Sequence, residues 1–249
     1  MITLKSAREL EVMARGGRIV HDTLQLMASL VRPGISTEAL DDEAEKFIRS
    51  HPGASPSFKG LYDFPKSLCI SIDEEIVHGI PSPTRILREG SIVSIDCGVH
   101  LEGLHADSAI TVPVGTVSAE ATALMAGTKA SLDAGIAAAL VGNHVGDIGH
   151  AVQTVAEGFG YGVVRDLVGH GIGARFHEDP QVPNFGRPKR GPALKAGMTI
   201  AIEPMITQGH YATKTLKDKW TIVTADGKLS AHFEHTVAIT QDGPRILTA

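Results

Sequence analysis

The sequence predicts an α+β fold, with helices packed on a curved, mainly antiparallel sheet. Three observations predict it. The order helix, helix, strands runs once to about residue 115 and then restarts. Short motifs recur on both sides of that point: Leu87-Arg88-Glu89-Gly90 leading to Asp96 reads against Leu194-Lys195-Ala196-Gly197 leading to Glu203, His105-Ala106-Asp107 against His232-Phe233-Glu234, and His78-Gly79-Ile80 against His170-Gly171-Ile172. No Gly/Ser-rich linker or change of composition divides the chain. Residues 1–249 therefore read as a single catalytic domain with internal halves of about 1–115 and 116–249.

The elements follow from local chemistry. Ser6 and Glu9 form a capping box that opens a first helix, whose apolar face runs through Leu10, Met13, Ala14, Ile19, Leu24 and Met27 to the stop at Pro33-Gly34. Ser36-Thr37 starts a second, through Leu40, Ala44, Phe47 and Ile48, ending near Pro52-Gly53. A Ser/Pro/Gly-rich loop follows, then β-branched runs at 67–72, 91–99 and 105–114 that read as strands. In the later half, Ser118 caps an Ala-rich helix to about Leu140, and Gly146-Asp147 opens another that ends at Gly158–Gly160. Strands are expected at 163–168, 198–207, 219–224 and 231–240.

Composition excludes several classes. The chain is 43% hydrophobic and 20% charged, ample for a core. A net charge of −5 argues against a polyanion-binding surface, and the basic stretch 186–195 reads as a solvated loop. Met1-Ile2-Thr3-Leu4-Lys5 lacks the apolar run of a signal peptide, and no run of 18 apolar residues exists to span a membrane. Cys69 and Cys97 sit in apolar strand-like runs and read as buried thiols of a reducing, cytoplasmic compartment.

The chemistry concentrates in acidic residues inside apolar strands. A tight turn centred between residues 101 and 102 would place Asp96 directly opposite Asp107, with Cβ atoms about 4.5–5.5 Å apart. Ionised carboxylates that close repel, which raises one pKa or recruits a cation. A turn shifted by a residue, or an Asp facing solvent, stays open as the alternative. Glu203 and Glu234 each interrupt an apolar strand, where a Glu is rarely buried unless paired or ligating. Pro204 removes a ladder donor beside Glu203. His170 lies among Gly169, Gly171 and Gly173, which allow close backbone approach. Four carboxylates and one imidazole exceed a single tetrahedral zinc site and suit two divalent ions about 3.5–4 Å apart, with oxygen-rich ligation favouring Mn, Fe(II) or Co. His78 and His177, in Gly/Pro-flanked loops, are candidate donors to a developing oxyanion or a leaving nitrogen.

In this order, Lys66-Ser67-Leu68-Cys69, His78-Gly79-Ile80-Pro81, Ile95-Asp96-Cys97-Gly98, Gly169-His170-Gly171-Ile172-Gly173, Phe176-His177-Glu178, Ile202-Glu203-Pro204 and Phe233-Glu234-His235 resemble the bacterial type I methionine aminopeptidases, over nearly the whole chain. The resemblance implies the pita-bread fold, two pseudo-symmetric halves sharing a curved sheet. It implies that Asp96, Asp107, His170, Glu203 and Glu234 are the metal ligands, Asp107 and Glu234 bridging both ions. A metal-bridging hydroxide would then attack the first peptide bond, with Glu203 as proton shuttle. By the same resemblance, His177 would contact the scissile carbonyl and His78 the amide nitrogen of the next residue. The side chain of the initiator methionine would lie against Cys69, Phe64, Phe176 and Trp220. Nascent peptides would be the substrates of a cytoplasmic monomer that contacts the ribosome but no specific nucleic acid and no membrane. Leu61, Asp73, Ala106 and His232 depart from the residues common in that family; the place taken by Asp73 is associated there with a monovalent-cation site. Two rival readings share the fold: an X-Pro-type aminopeptidase, and a non-catalytic protein that binds ribosomes or RNA.

Overall fold

The structure is a computed structural model and describes residues 2–249. Four helices, α1 (Ala7–Leu30), α2 (Thr37–Arg49), α3 (Ala119–Ala138) and α4 (Val145–Gly158), alternate with the strands β1 (Ala54–Pro56), β2 (Leu68–Ile72), β3 (Glu75–Val77), β4 (Ile92–Leu101), β5 (Leu104–Pro113), β6 (Gly162–Val163), β7 (Gly169–Gly171), β8 (Glu178–Val182), β9 (Thr199–Ile202), β10 (Met205–Thr207), β11 (Thr213–Thr215), β12 (Ile222–Thr224), β13 (Ser230–His232), β14 (Glu234–Thr240) and β15 (Gly243–Ile246). The capping box of α1 forms: Ser6 N–H donates to Glu9 Oε2 at 2.8 Å and Glu9 N–H to Ser6 Oγ at 3.3 Å. α2 and α3 begin behind Ser36 and Ser118, whose hydroxyls accept from Ala39 and Ala121 N–H.

The main sheet runs β1-β4-β5-β14-β9-β7-β8, with β2 also on β4 and β15 also on β14, and its pairings are antiparallel. β5 and β14 join the two halves. β4 and β9 flank that seam, and β2 and β7 lie beyond them. Side-chain alternation sorts the two faces. Val93, Ile95, Cys97, Ala106, Ile110 and Val112 pack with α1 and α2 residues such as Val20, Leu24, Leu40 and Ile48. Ile200, Ile202, Val237 and Ile239 pack with Leu132, Ile136 and Ile148 of α3 and α4. Asp96, Asp107, Glu203 and Glu234, one residue out of phase with these, are directed to the opposite face.

Several expected elements differ. The run 163–168 is extended only at Gly162–Val163, because Arg165 and Asp166 are exposed in a bend with no ladder partner. The runs 198–207 and 231–240 are each split, at Glu203-Pro204 and at Phe233, into β9 and β10 and into β13 and β14. Pro204 has no N–H to continue a ladder, and the breaks let β10 and β13 peel away with β6 into a separate three-stranded sheet. The run 219–224 is a strand only over Ile222–Thr224, since Asp218 turns the chain by accepting from Trp220 and Thr221 N–H. α4 starts earlier than Gly146-Asp147: His144 is its N-cap, with its N–H donating to Asp147 Oδ2 at 2.7 Å.

Candidate metal centre and cleft

The β4–β5 turn corrects the expected register. Leu101 pairs with Leu104, so the turn residues are Glu102 and Gly103, both at positive φ (49° and 85°). A two-residue turn of that kind matches the twist of the flanking strands. Asp96 is therefore opposite Ala109, and Asp107 opposite Gly98. The two-residue offset keeps both carboxylates on one face, as diagonal neighbours. Ala109 also faces Glu234 across the β5–β14 seam. Glu203 continues the row, one step beyond the Ile202–His235 pair. Asp96, Glu234 and Glu203 thus lie in a line across the sheet, with Asp107 beside it.

The seam is tied by side chains. Asp107 N–H donates to Thr236 Oγ1 at 2.9 Å, and that hydroxyl donates to Asp107 O at 2.8 Å. His170, on β7, donates from Nδ1 to Gly171 O at 2.8 Å, which leaves the Nε2 lone pair facing the carboxylates, 3.6 Å from Glu203 Oε1. Ligand atoms of Asp107, His170 and Glu234 lie within 4.8 Å of one another.

This cluster is electrostatically unresolved by protein alone. Asp96 Oδ1, Asp107 Oδ1 and Glu234 Oε1 are buried with no hydrogen-bond partner, and the surrounding cavity, about 180 Å³, has no Lys or Arg among its described lining residues. Burial pushes Asp96 up to about 7. Burial and then the charges of Glu234 and Asp96 push Asp107 up, and Glu203 and Glu234 rise by burial and their carboxylate neighbours. His170 is held down to about 4 by burial and the nearby His177, so its imidazole is neutral and able to ligate. Buried acceptors without donors, beside a neutral imidazole, are what divalent cations satisfy.

A pH dependence follows for the metal-free protein. Each carboxyl has a folded pKa above its unfolded value, so the native state binds more protons, and this stability is lost as pH rises through the folded pKa. The buried histidines work in the opposite sense, but their contribution fades above about pH 6.5 as the imidazoles of the unfolded chain lose their protons. Metal-free protein is therefore expected to lose thermal stability between about pH 6.5 and about pH 8, and the Tm gain on adding Mn is expected to be larger at the higher pH. Calorimetry with and without metal checks both; a metal-free Tm that rises over that interval contradicts the arrangement.

All of the residues picked from the sequence line one cavity: Asp96, Asp107, His170, Glu203 and Glu234 on its floor, with His78, His177, Cys69, Phe64, Phe176 and Trp220 around them. Phe64 and Trp220 meet edge to face at 5.1 Å, and Trp220 stands 6.4 Å from the His78 ring. His177 sits at the mouth, 4.4 Å from His170 between ring centroids, and stacks on the exposed Tyr62 at 5.7 Å. Burial lowers His177, and lowers His78 to about 4. Phe58, Val77, Val168 and Met205 also line the cavity and escaped the sequence reading, because each is an ordinary apolar residue whose position only the fold reveals. His232 lines it too, buried, its Nε2 3.9 Å from Glu234 Oε2.

The third motif pair is corrected as well. Ile70 N–H donates to Gly79 O at 2.8 Å, which places His78-Gly79-Ile80 on the outer edge of β2. β8, which begins just after His177, lies in the same way on the outer edge of β7. His78 is thus the counterpart of His177, one on each side of the cleft, and not of His170.

The family model of metallopeptidase family M24 matches residues 11–241. The chain belongs to that family. Over the full chain it is 56% identical to the methionine aminopeptidase of Clostridium perfringens and 50% identical to methionine aminopeptidase 1 of Bacillus subtilis, covering 99% of each relative. The crystal structure of methionine aminopeptidase from Rickettsia prowazekii superposes with a TM-score of 0.98 at 40% identity, with 100% of both chains covered. The fold is the pita-bread fold. The prolidase from Pyrococcus furiosus shares the fold at 20% identity and a TM-score of 0.78, with only 65% of its length covered. The X-Pro reading and the non-catalytic one are not favoured by these matches.

Proposed function

We propose that this chain is a metal-dependent aminopeptidase that removes the N-terminal methionine from newly made polypeptides, acting as one catalytic unit in a reducing, cytoplasmic setting. The observation that carries the reading is the row of buried, unpartnered carboxylate oxygens at the floor of an apolar cleft. Asp96, Asp107, His170, Glu203 and Glu234 would hold two divalent ions, with Mn, Fe(II) and Co the best matched to their oxygen-rich set. Such ions, when bound, supply Lewis acidity at the scissile carbonyl and a water of lowered pKa.

The remaining work falls to side chains. Phe64, Cys69, Phe176 and Trp220 form a soft, largely aromatic pocket for a thioether. His177, neutral at the mouth, donates to the scissile carbonyl oxygen as negative charge develops there. Glu203, on the cavity floor beside the His170 ring, takes a proton from the attacking water and returns it to the leaving nitrogen. His78, on the opposite wall, hydrogen-bonds the amide nitrogen of the second residue.

The test is hydrolysis of Met-Ala-Ser beside an Ala-Pro peptide, by protein loaded with Mn or Co. Release of methionine from the first and no cleavage of the second is expected. Preferential cleavage before proline, or no stimulation by either metal, would overturn the reading.

A further inference from the structure

His78 adopts φ 60°, in the left-handed region that a non-glycine residue seldom occupies unless its surroundings impose it. One side chain is tied to both sides of it. Arg85 Nη1 donates to Ile80 O at 2.7 Å, two residues beyond His78, and to Ile70 O at 3.1 Å, on β2. Its Nη2 donates to the Glu75 carboxylate, which also accepts from Ile72 N–H at 2.8 Å. Arg85 and Glu75 are mostly buried, at 22% and 17% side-chain exposure. The segment has little slack: a Cβ on Gly79 would lie 2.1 Å from Ile70 O and 3.1 Å from Glu75 Oε2.

Trp220 meets the His78 ring edge to face, 6.4 Å away between centroids, so it reports on where that ring lies.

We propose that Arg85 is a positioning residue for the reaction, holding His78 in its left-handed conformation at the wall of the cleft. A planar guanidinium aims its donors in a fixed fork at two carbonyls and a carboxylate at once, which methionine cannot do and a compact ammonium does with poorer geometric fit. This rests on the function proposed above for His78.

The test is a double-mutant cycle: Arg85→Met and Arg85→Lys, each made in the unaltered protein and in His78→Ala. Arg85→Met is expected to lower kcat for Met-Ala-Ser by about 10- to 100-fold with KM changed less than about threefold, and to have no further effect in His78→Ala. Arg85→Lys is expected to restore part of the loss, again only when His78 is present. Bound metal is retained throughout. Trp220 is the sole tryptophan and stands against the His78 ring, so its emission should shift in Arg85→Met in the background that keeps His78. Equal losses with and without His78 would show that Arg85 supports only the fold, and unchanged Trp220 emission would show that His78 has not moved, which overturns the proposal. If Arg85→Met does not fold, Arg85→Lys carries the same cycle. If the unaltered protein fails to cleave Met-Ala-Ser, the functional reading falls, and the proposal for Arg85 is then decided by the Trp220 emission and by the His78 ring signals in the NMR spectrum, which must move in Arg85→Met.

Discussion

Replacing His170 with alanine is expected to leave the fold intact and to lower kcat/KM by at least about a thousandfold, with loss of bound metal. The fold should survive because the side chain makes one hydrogen bond, Nδ1 to Gly171 O, worth only about 1 kcal/mol net, and because β7 is held by backbone pairing to β8 and β9. The metal should be lost because His170 brings a neutral nitrogen donor within reach of Asp107 and Glu234, on a floor of carboxylates that otherwise repel one another. Circular dichroism, elemental analysis and kinetics on one preparation check this. Wild-type turnover in the variant would refute the ligand assignment.

His177→Ala should separate chemistry from metal binding. Its ring stacks on Tyr62, with the Tyr62 hydroxyl 3.3 Å from Nδ1, and lies beside His170 at the mouth of the cavity rather than on its floor. Loss of a donor to a developing oxyanion typically costs about 10²- to 10³-fold in kcat. That loss is expected with full metal content and little change in KM. Loss of metal instead would mean that His177 belongs among the ligands.

Much of this site was legible in the sequence because its chemistry contradicts its surroundings. Glu203 and Glu234 are carboxylates in runs that otherwise build a core, and Asp96 and Asp107 sit in strands whose alternate residues, such as Ile95 and Ala106, are buried. Helix starts were legible at Ser6, Ser36 and Ser118, where one hydroxyl satisfies an end N–H. Register was less so. The Glu102-Gly103 turn lies one residue past the expected centre, and strand-forming flanks constrain a turn only weakly. Pro204 marks the break after Glu203, but the break at Phe233 and the pairing of β10 and β13 with β6 and with each other are tertiary preferences that no local pattern encodes. The same holds for His78 and His177, whose equivalence is a matter of which strand edge each segment lies on. Leu61, which departs from the residue common in the family, lies in the cavity wall, and its neighbour Tyr62 stacks on His177, a contact that sequence position alone does not show.

The central claim is that acidic groups from both halves gather around a pair of divalent cations. Anomalous diffraction from crystals soaked in Mn tests it most directly. Two peaks about 3.5–4 Å apart are expected, with Asp107 and Glu234 touching both and Asp96, His170 and Glu203 completing the set. Peaks elsewhere in the molecule, with none at this floor, would contradict it.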